Sequence, residues 1–216
     1  MDNEMDANTA SEPENNGGLT AETISIEQGN AGTVNATTVY LKQGGITTAN
    51  AEDVHVTQGG VQTVNATHVT VRQGGMQTAN ADHLVVRQGG MLRAKTEHLE
   101  MLQAGAGIIQ TTTATLTASN SGAVLARGDV QMDQSSARVL VTKGAISMDQ
   151  GGSMITVANR VNMENSGTVF LIARQVDGTV NTVFGQRESI LFGAVAGLVA
   201  GTVLMLGNLA RRRRSK

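Results

Sequence analysis

From Gln28 the chain repeats itself every fifteen residues: QGNAGTVNATTVYLK, QGGITTANAEDVHVT, QGGVQTVNATHVTVR, QGGMQTANADHLVVR, then QGGMLRAKTEHLEML and QAGAGIIQTTTATLT. Self-similarity at a short fixed period is the mark of a repeat architecture, in which each unit buries its apolar face only against its neighbours. With Gln as position 1, apolar or small residues fall at positions 2, 4, 7, 9, 12 and 14. That is alternation within each pentad, the period-two signature of a strand. Three short strands joined by corners predict an all-β, single-stranded, three-sided β-solenoid with one fifteen-residue repeat per coil.

The pattern can be counted. Between Gln28 and Thr117 there are 36 inward positions, and only Thr96 and Thr111 depart from apolar or glycine. All ten charged residues of that span fall on outward positions. An unpaired charge in so narrow a core would be prohibitive, and a slip of one residue would invert every side chain. Beyond Thr117 the phrases beginning at Met132, Met148 and Met163 lie 16 and 15 residues apart. Two coils therefore absorb one extra residue each at a corner. The expected total is roughly ten coils, on the order of 48 Å of rod at about 4.8 Å per coil.

Composition fits such a thin core. Aromatics make up 2% of the 216 residues, too few for an ordinary globular interior but suitable for a bore filled by Val, Ala, Ile, Leu and Met. The absence of cysteine excludes disulfides and thiol chemistry. A net charge of −2 gives no electrostatic case for nucleic acid.

The sequence divides into an acidic arm (1–17), the solenoid (18–183), a linker (184–189), an apolar segment (190–210) and a basic tail (211–216). The arm has five acids and no base, the composition of a solvated tail, and no apolar core of a secretory signal. Within the apolar segment, 190–207 carries no charge and as a helix would span roughly 27 Å, enough for a membrane anchor. A buried helix capping the solenoid is the plainer alternative. Gly193, Gly197 and Gly201 form GxxxGxxxG, which suits close helix association or reflects the glycine content of membrane helices generally. Arg211, Arg212, Arg213 and Arg214 read as a topology signal or an anionic-lipid contact rather than a nucleic-acid patch. The positive-inside rule would place the solenoid outside, whereas a tail anchor leaves it in the cytoplasm, and a helix lying in one leaflet is a third arrangement. The expectation is a single-pass membrane protein with a cytoplasmic solenoid.

Stacked repeats turn outward positions into columns of like residues. His68, His83 and His98 form one, preceded by Asp53. A row of imidazoles suggests a divalent metal, but collinear ligands do not surround an ion, so a solvent-facing ladder is expected and no metal. Asn35, Asn50, Asn65 and Asn80, flanked by Thr33, Thr48, Thr63 and Thr78, form a second column whose amides can bond up the stack. A flat Thr/Asn face is similar to ice-binding solenoids, although Glu52 and Asp82 interrupt it. Ile108, Met154, Ile155, Val169 and Phe170 take positions 5 or 6 where earlier coils carry Thr and Gln. Such a ridge is expected to face a neighbouring subunit or the membrane.

No catalytic triad, phosphate loop or metal signature is present, and the outward acids are scattered rather than paired as in solenoid sugar hydrolases. A non-enzymatic chain is expected, with no cofactor, no small-molecule substrate, no nucleic acid, a membrane partner and self-association. A short-coil solenoid with an apolar core, an acidic arm and membrane attachment resembles the bactofilins, bacterial polymer-forming cytoskeletal proteins. The likeness covers 18 to about 180 and departs from the family in its anchor position and its sharp fifteen-residue coil. It implies end-to-end filaments formed without nucleotide. The competing expectation is a membrane-tethered binding module that uses the His or Asn/Thr columns.

Overall fold

A computed structural model describes residues 19–182. The arm, the apolar segment with its glycine triplet, and the basic tail lie outside these residues. The described chain is entirely β: β1 (Leu19–Leu102), β2 (Ala104–Thr111), β3 (Thr113–Thr117), β4 (Asn120–Ala126), β5 (Val130–Asp133), β6 (Ser136–Thr142), β7 (Ala145–Asp149) and β8 (Gly152–Thr182). Every pairing is parallel. One ladder runs β1-β2-β4-β6-β8 and the other returns β8-β7-β5-β3-β1. The ring closes because β1 and β8 belong to both ladders, which is the connectivity of a β-solenoid.

The spacing of the pairs is the sequence period. Gly89 pairs with Ala104 and Gly105 with Asn120, each 15 residues on. Ala114 then pairs with Val130, 16 on, and Ala145 with Arg160, again 15 on. The extra residue enters at the corner Arg127-Gly128-Asp129 and is matched by Lys143-Gly144-Ala145 in the next turn. There the Ala145 N–H bonds the Asp129 carboxylate at 2.8 Å, so the two bulges stack on one another.

Two features differ from expectation. Each turn comprises two strand pieces rather than three, because the ladder continues across the first corner and omits only Gly107 and Gly122. The separate paired strands make about five turns against the roughly ten expected. The difference lies in β1, a single element of 84 residues within which like side chains still bond at a spacing of 15.

The core is the predicted apolar file. Val39, Val54, Val69, Leu84 and Leu99 at position 12, and Leu41, Val56, Val71, Val86 and Met101 at position 14, are all buried. The early position-9 alanines Ala36, Ala51, Ala66 and Ala81 are only half-buried, since a corner leaves their methyls at the margin. Thr96 and Thr111, the two polar departures, are buried with their hydroxyls bonded to backbone carbonyls. Thr96 reaches those of Asp82 and His98 at 3.0 Å, and Thr111 that of Thr113 at 2.8 Å. A buried hydroxyl is tolerated when it is bonded in this way.

The Gln-Gly-Gly corner changes its chemistry midway. Early turns place a left-handed residue at position 2, with φ of 132° at Gly29 and 134° at Gly44. From Gln103 onward the left-handed residue is position 1 instead: Gln103, Ala118, Gln134, Gln150 and Asn165, with φ of 47–52°. A non-glycine residue there costs about 1–2 kcal/mol, and the shift frees position 2 to carry a side chain. Serine takes the place at 119, 135 and 166, with Ala104 and Gly151 at the other two corners. Ser135 Oγ accepts the Ser119 N–H at 3.0 Å and lies 2.8 Å from the Asp133 carbonyl, while Ser166 Oγ accepts the Gly151 N–H at 3.1 Å.

The two glycines of the early corner are not equivalent. A Cβ on Gly44 would lie 1.7 Å from the Gly29 carbonyl oxygen, whereas one on Gly60 would meet nothing closer than 3.8 Å. Gly44→Ala should therefore cost about 2–4 kcal/mol, and Gly60→Ala should stay within about 0.5 kcal/mol of wild type. Urea unfolding midpoints of the two variants test the contrast.

Candidate functional surface

Stacking converts three outward columns into bonded ladders. Glutamine amides link Gln28 to Gln43, Gln58, Gln73, Gln88 and Gln103, each donating to the next turn at 3.0–3.2 Å. Asparagine amides bond in the opposite sense, Asn80 to Asn65 to Asn50 to Asn35, at 2.8–2.9 Å. The His68, His83 and His98 rings stack face to face, with centroids 5.1 and 4.8 Å apart. His98 Nδ1 continues the column through Thr113 Oγ1 at 2.7 Å. The sequence reading anticipated the Asn ladder. It noted the Gln column without its bonds, and it missed the Tyr40–His55 stack, whose centroids are 5.1 Å apart.

Face-to-face imidazoles set their edges side by side instead of converging on a point. Among the described residues no cluster of three or more His, Cys, Asp or Glu is arranged to hold a metal ion. The exposed Lys42–Glu27 ion pair also follows the 15-residue spacing, and the hydrogen bond and charge of the Lys42 ammonium hold the Glu27 carboxyl below its usual range. Both side chains are more than half exposed, so the pair adds little to stability.

One face changes character along the stack. Its early half carries the threonine column Thr33, Thr48, Thr63, Thr78 and the Asn column, and the next repeat carries Arg93 and Lys95. The threonine column turns apolar from Ile108, and the asparagine column, after Gln110, from Leu125. Ile108 pairs with Ala123, Ala123 with Val139 and Val139 with Ile155, and Phe170 follows one repeat later. Beside this column Leu125 pairs with Val141 and Val141 with Val157, and Ile172 follows. Ile172, Phe170 and Met154 are 65%, 57% and 56% exposed.

Of the expected ridge, Ile108, Ile155 and Phe170 fall on one column, while Met154 and the half-buried Val169 sit one position earlier at its margin. The whole second column was missed. Its signal was available in VLV at 139–141 and VFLIA at 169–173, where alternation gives way to continuous apolar runs, and in MITVA at 154–158, which only Thr156 interrupts. Parallel strands read this way when both of their faces are covered.

Further apolar residues are exposed in the first and last described turns. Leu19 is 48% exposed at one end, and Val176, at an inward position, is 44% exposed at the other. Among the described residues no helix is long and apolar enough to cross a membrane. The chain matches no protein-family profile, no curated protein and no solved structure.

A solvent-facing His column makes a definite expectation. His83→Gln removes two ring stacks and should lower stability by about 1 kcal/mol. Zinc should leave the melting temperatures of wild type and variant shifted equally, by thermal unfolding. A larger zinc shift in the wild type would restore the metal reading.

Proposed function

We propose that this protein is a non-enzymatic scaffold, held at a membrane by 190–210, whose β-solenoid rod assembles with copies of itself. The observation that carries the reading is the pair of apolar columns on one face. Water-exposed apolar rows of this extent on a regular sheet are costly unless they meet another surface. End-on addition is what the bactofilin resemblance implies. Parallel edges with a fixed period accept a further coil by the same backbone bonding that joins one coil to the next. In the anchor, Gly193, Gly197 and Gly201 would bring helices of neighbouring copies together, and Arg211, Arg212, Arg213 and Arg214 would contact anionic lipid headgroups.

The regular Asn, Gln and His ladders favour a second reading, a tethered binding module whose repeating polar columns meet a partner with a matching repeat. Electron microscopy of protein lacking 187–216 separates the two. Filaments or lateral clusters support the scaffold, and dispersed single rods support the binding module.

Within the scaffold reading, charge on the apolar columns should act selectively. Leu125→Glu with Ile155→Glu should weaken lateral association about tenfold or more, because an unpaired carboxylate would be buried at each contact. The β-type circular dichroism spectrum should be unchanged. Sedimentation of the double variant at wild-type strength would contradict the assignment of this face.

A further inference from the structure

We infer that a second copy of this chain packs, antiparallel to the first, on the face formed by β3, β5, β7 and the matching stretches of β1 and β8, about a two-fold axis at the turn 112–117. This face is distinct from the apolar columns, and the contact depends on neither those columns nor the anchor.

The first argument is charge. Two columns border the face, one at position 10 of the repeat and one at position 15. Position 10 is acidic in the early turns, at Glu52, Asp82 and Glu97, and basic in the later ones, at Arg127, Lys143 and Arg174. Position 15 has the reverse order, Lys42, Arg72 and Arg87 being followed by Asp133, Asp149 and Glu164. Opposite charges on the two borders stand about 16 Å apart across the strands, too far to pair within one chain. Like charges meanwhile sit on adjacent turns, Asp133 beside Asp149 and Asp149 beside Glu164, which is unfavourable. One carboxylate oxygen of Asp149 is also enclosed without a hydrogen bond. Such a pattern is costly alone and complementary to an inverted copy of itself.

The second argument is register. With the axis at 112–117, a residue a given number of turns before it meets the same column as many turns after it. Glu97 then faces Arg127 of the second copy, Asp82 faces Lys143, and Glu52 faces Arg174. On the other border Arg87 faces Asp149 and Arg72 faces Glu164, while Asp133 falls opposite Leu102. Lys42 has no counterpart among the described residues, and it is the base that forms an ion pair within its own chain, to Glu27. The turn on the axis meets itself, and its outward residues Thr112, Thr113, Thr115 and Thr117 are all uncharged.

The third argument decides between the two directions in which copies can face one another. A parallel pair would also match the borders, but it would set Glu100 on Glu100 and Asp177 on Asp177 along the middle column, and Asp129 against Asp133. The antiparallel pair sets Glu100 opposite Gln131, Asp177 opposite His55 and Asp129 opposite His98. No two like charges then meet. Over the turns that match, the face measures about 43 Å by about 16 Å, roughly 700 Å² on each copy from strand spacings. A standard specific interface buries about 800 Å² on each partner, so this face is of the size that holds a dimer.

The chain has no cysteine, so a single introduced thiol reports the contact. Facing sheets lie about 10 Å apart, a gap suited to a short bismaleimide rather than a disulfide. The test is bismaleimide cross-linking of the full chain in non-ionic detergent. Thr113→Cys meets itself only in the antiparallel pair and should yield a covalent dimer, with a yield that falls about tenfold in about 0.5 M NaCl. Val85→Cys meets itself only in the parallel pair and should yield no dimer. In the Thr113→Cys chain, Asp82→Lys with Glu97→Arg should lower the yield about tenfold, and adding Arg127→Glu with Lys143→Asp should restore it, the β spectrum being kept throughout. Leu125→Glu with Ile155→Glu, on the apolar columns, should leave the yield unchanged. A dimer from Val85→Cys, no dimer from Thr113→Cys, or charge reversals without effect would overturn the inference. Loss of the cross-link in the apolar-column variant would assign the contact to those columns and overturn it as well.

Discussion

Every coil of this protein must place its side chains directly over those of the coil before it. Parallel strands about 4.8 Å apart allow no lateral offset, so whatever residue type occupies a position meets its like in the next turn. The bore accepts this because Val on Val and Leu on Leu pack without polar remainder. The outer surface favours groups that attract their own kind. Amides do so by hydrogen bonding, which gives the Gln28–Gln103 and Asn35–Asn80 ladders, and flat rings do so by stacking, as at His68, His83 and His98. Like charges repel, so the acidic column Asp133, Asp149 and Glu164 on successive turns is a cost of the repeat, whereas the one described ion pair, Lys42 with Glu27, sets opposite charges on adjacent turns.

The same constraint explains the change of corner near Gln103. In the Gln-Gly-Gly turns a carbonyl oxygen of one coil sits where a Cβ of the next would be, so the position-2 residue of the next coil must be glycine, as Gly44 is above Gly29. Moving the left-handed residue back by one, to Gln103 and its successors, relieves that contact and admits Ser119, Ser135 and Ser166. Their hydroxyls then supply partners to backbone N–H groups inside the corner. In the same turns Thr142, Ser153, Thr156 and Thr168 occupy inward positions, with Ser153 and Thr168 bonded at 3.0 Å. The interior becomes more polar where the outer face becomes apolar. Apolar residues that the early turns keep in the bore are displayed outside in the later ones, and that trade gives the apolar columns their weight as a functional surface.

Much of this was legible in the sequence. The bore residues Val39 to Met101, the outward charges, the Asn ladder and the insertion beyond Thr117 follow from period and alternation, because a register error would have put Arg72 or Glu100 inside. The corner chemistry was not legible: Gln134 and Gln43 look alike in the repeat, yet only Gln134 takes a left-handed backbone. The following residue does not decide it, because Gln150 precedes glycine, as Gln43 does, and is left-handed all the same. Half of the apolar face was also hidden. Leu125, Val141, Val157 and Ile172 stand at the position held by asparagine in the early repeats, and a continuous apolar run blurs the alternation that identifies an outward residue.

The fold consists of strands stacked in parallel at a spacing that switches from 15 to 16 residues at one corner and back at another. Methyl–methyl nuclear Overhauser contacts in labelled protein report that spacing directly. Leu84–Leu99 and Met148–Met163 should appear at 15, and Ala114–Val130 and Leu116–Met132 at 16. A set of contacts that runs antiparallel, or that keeps a spacing of 15 across Arg127-Gly128-Asp129, would contradict the fold and everything built on it.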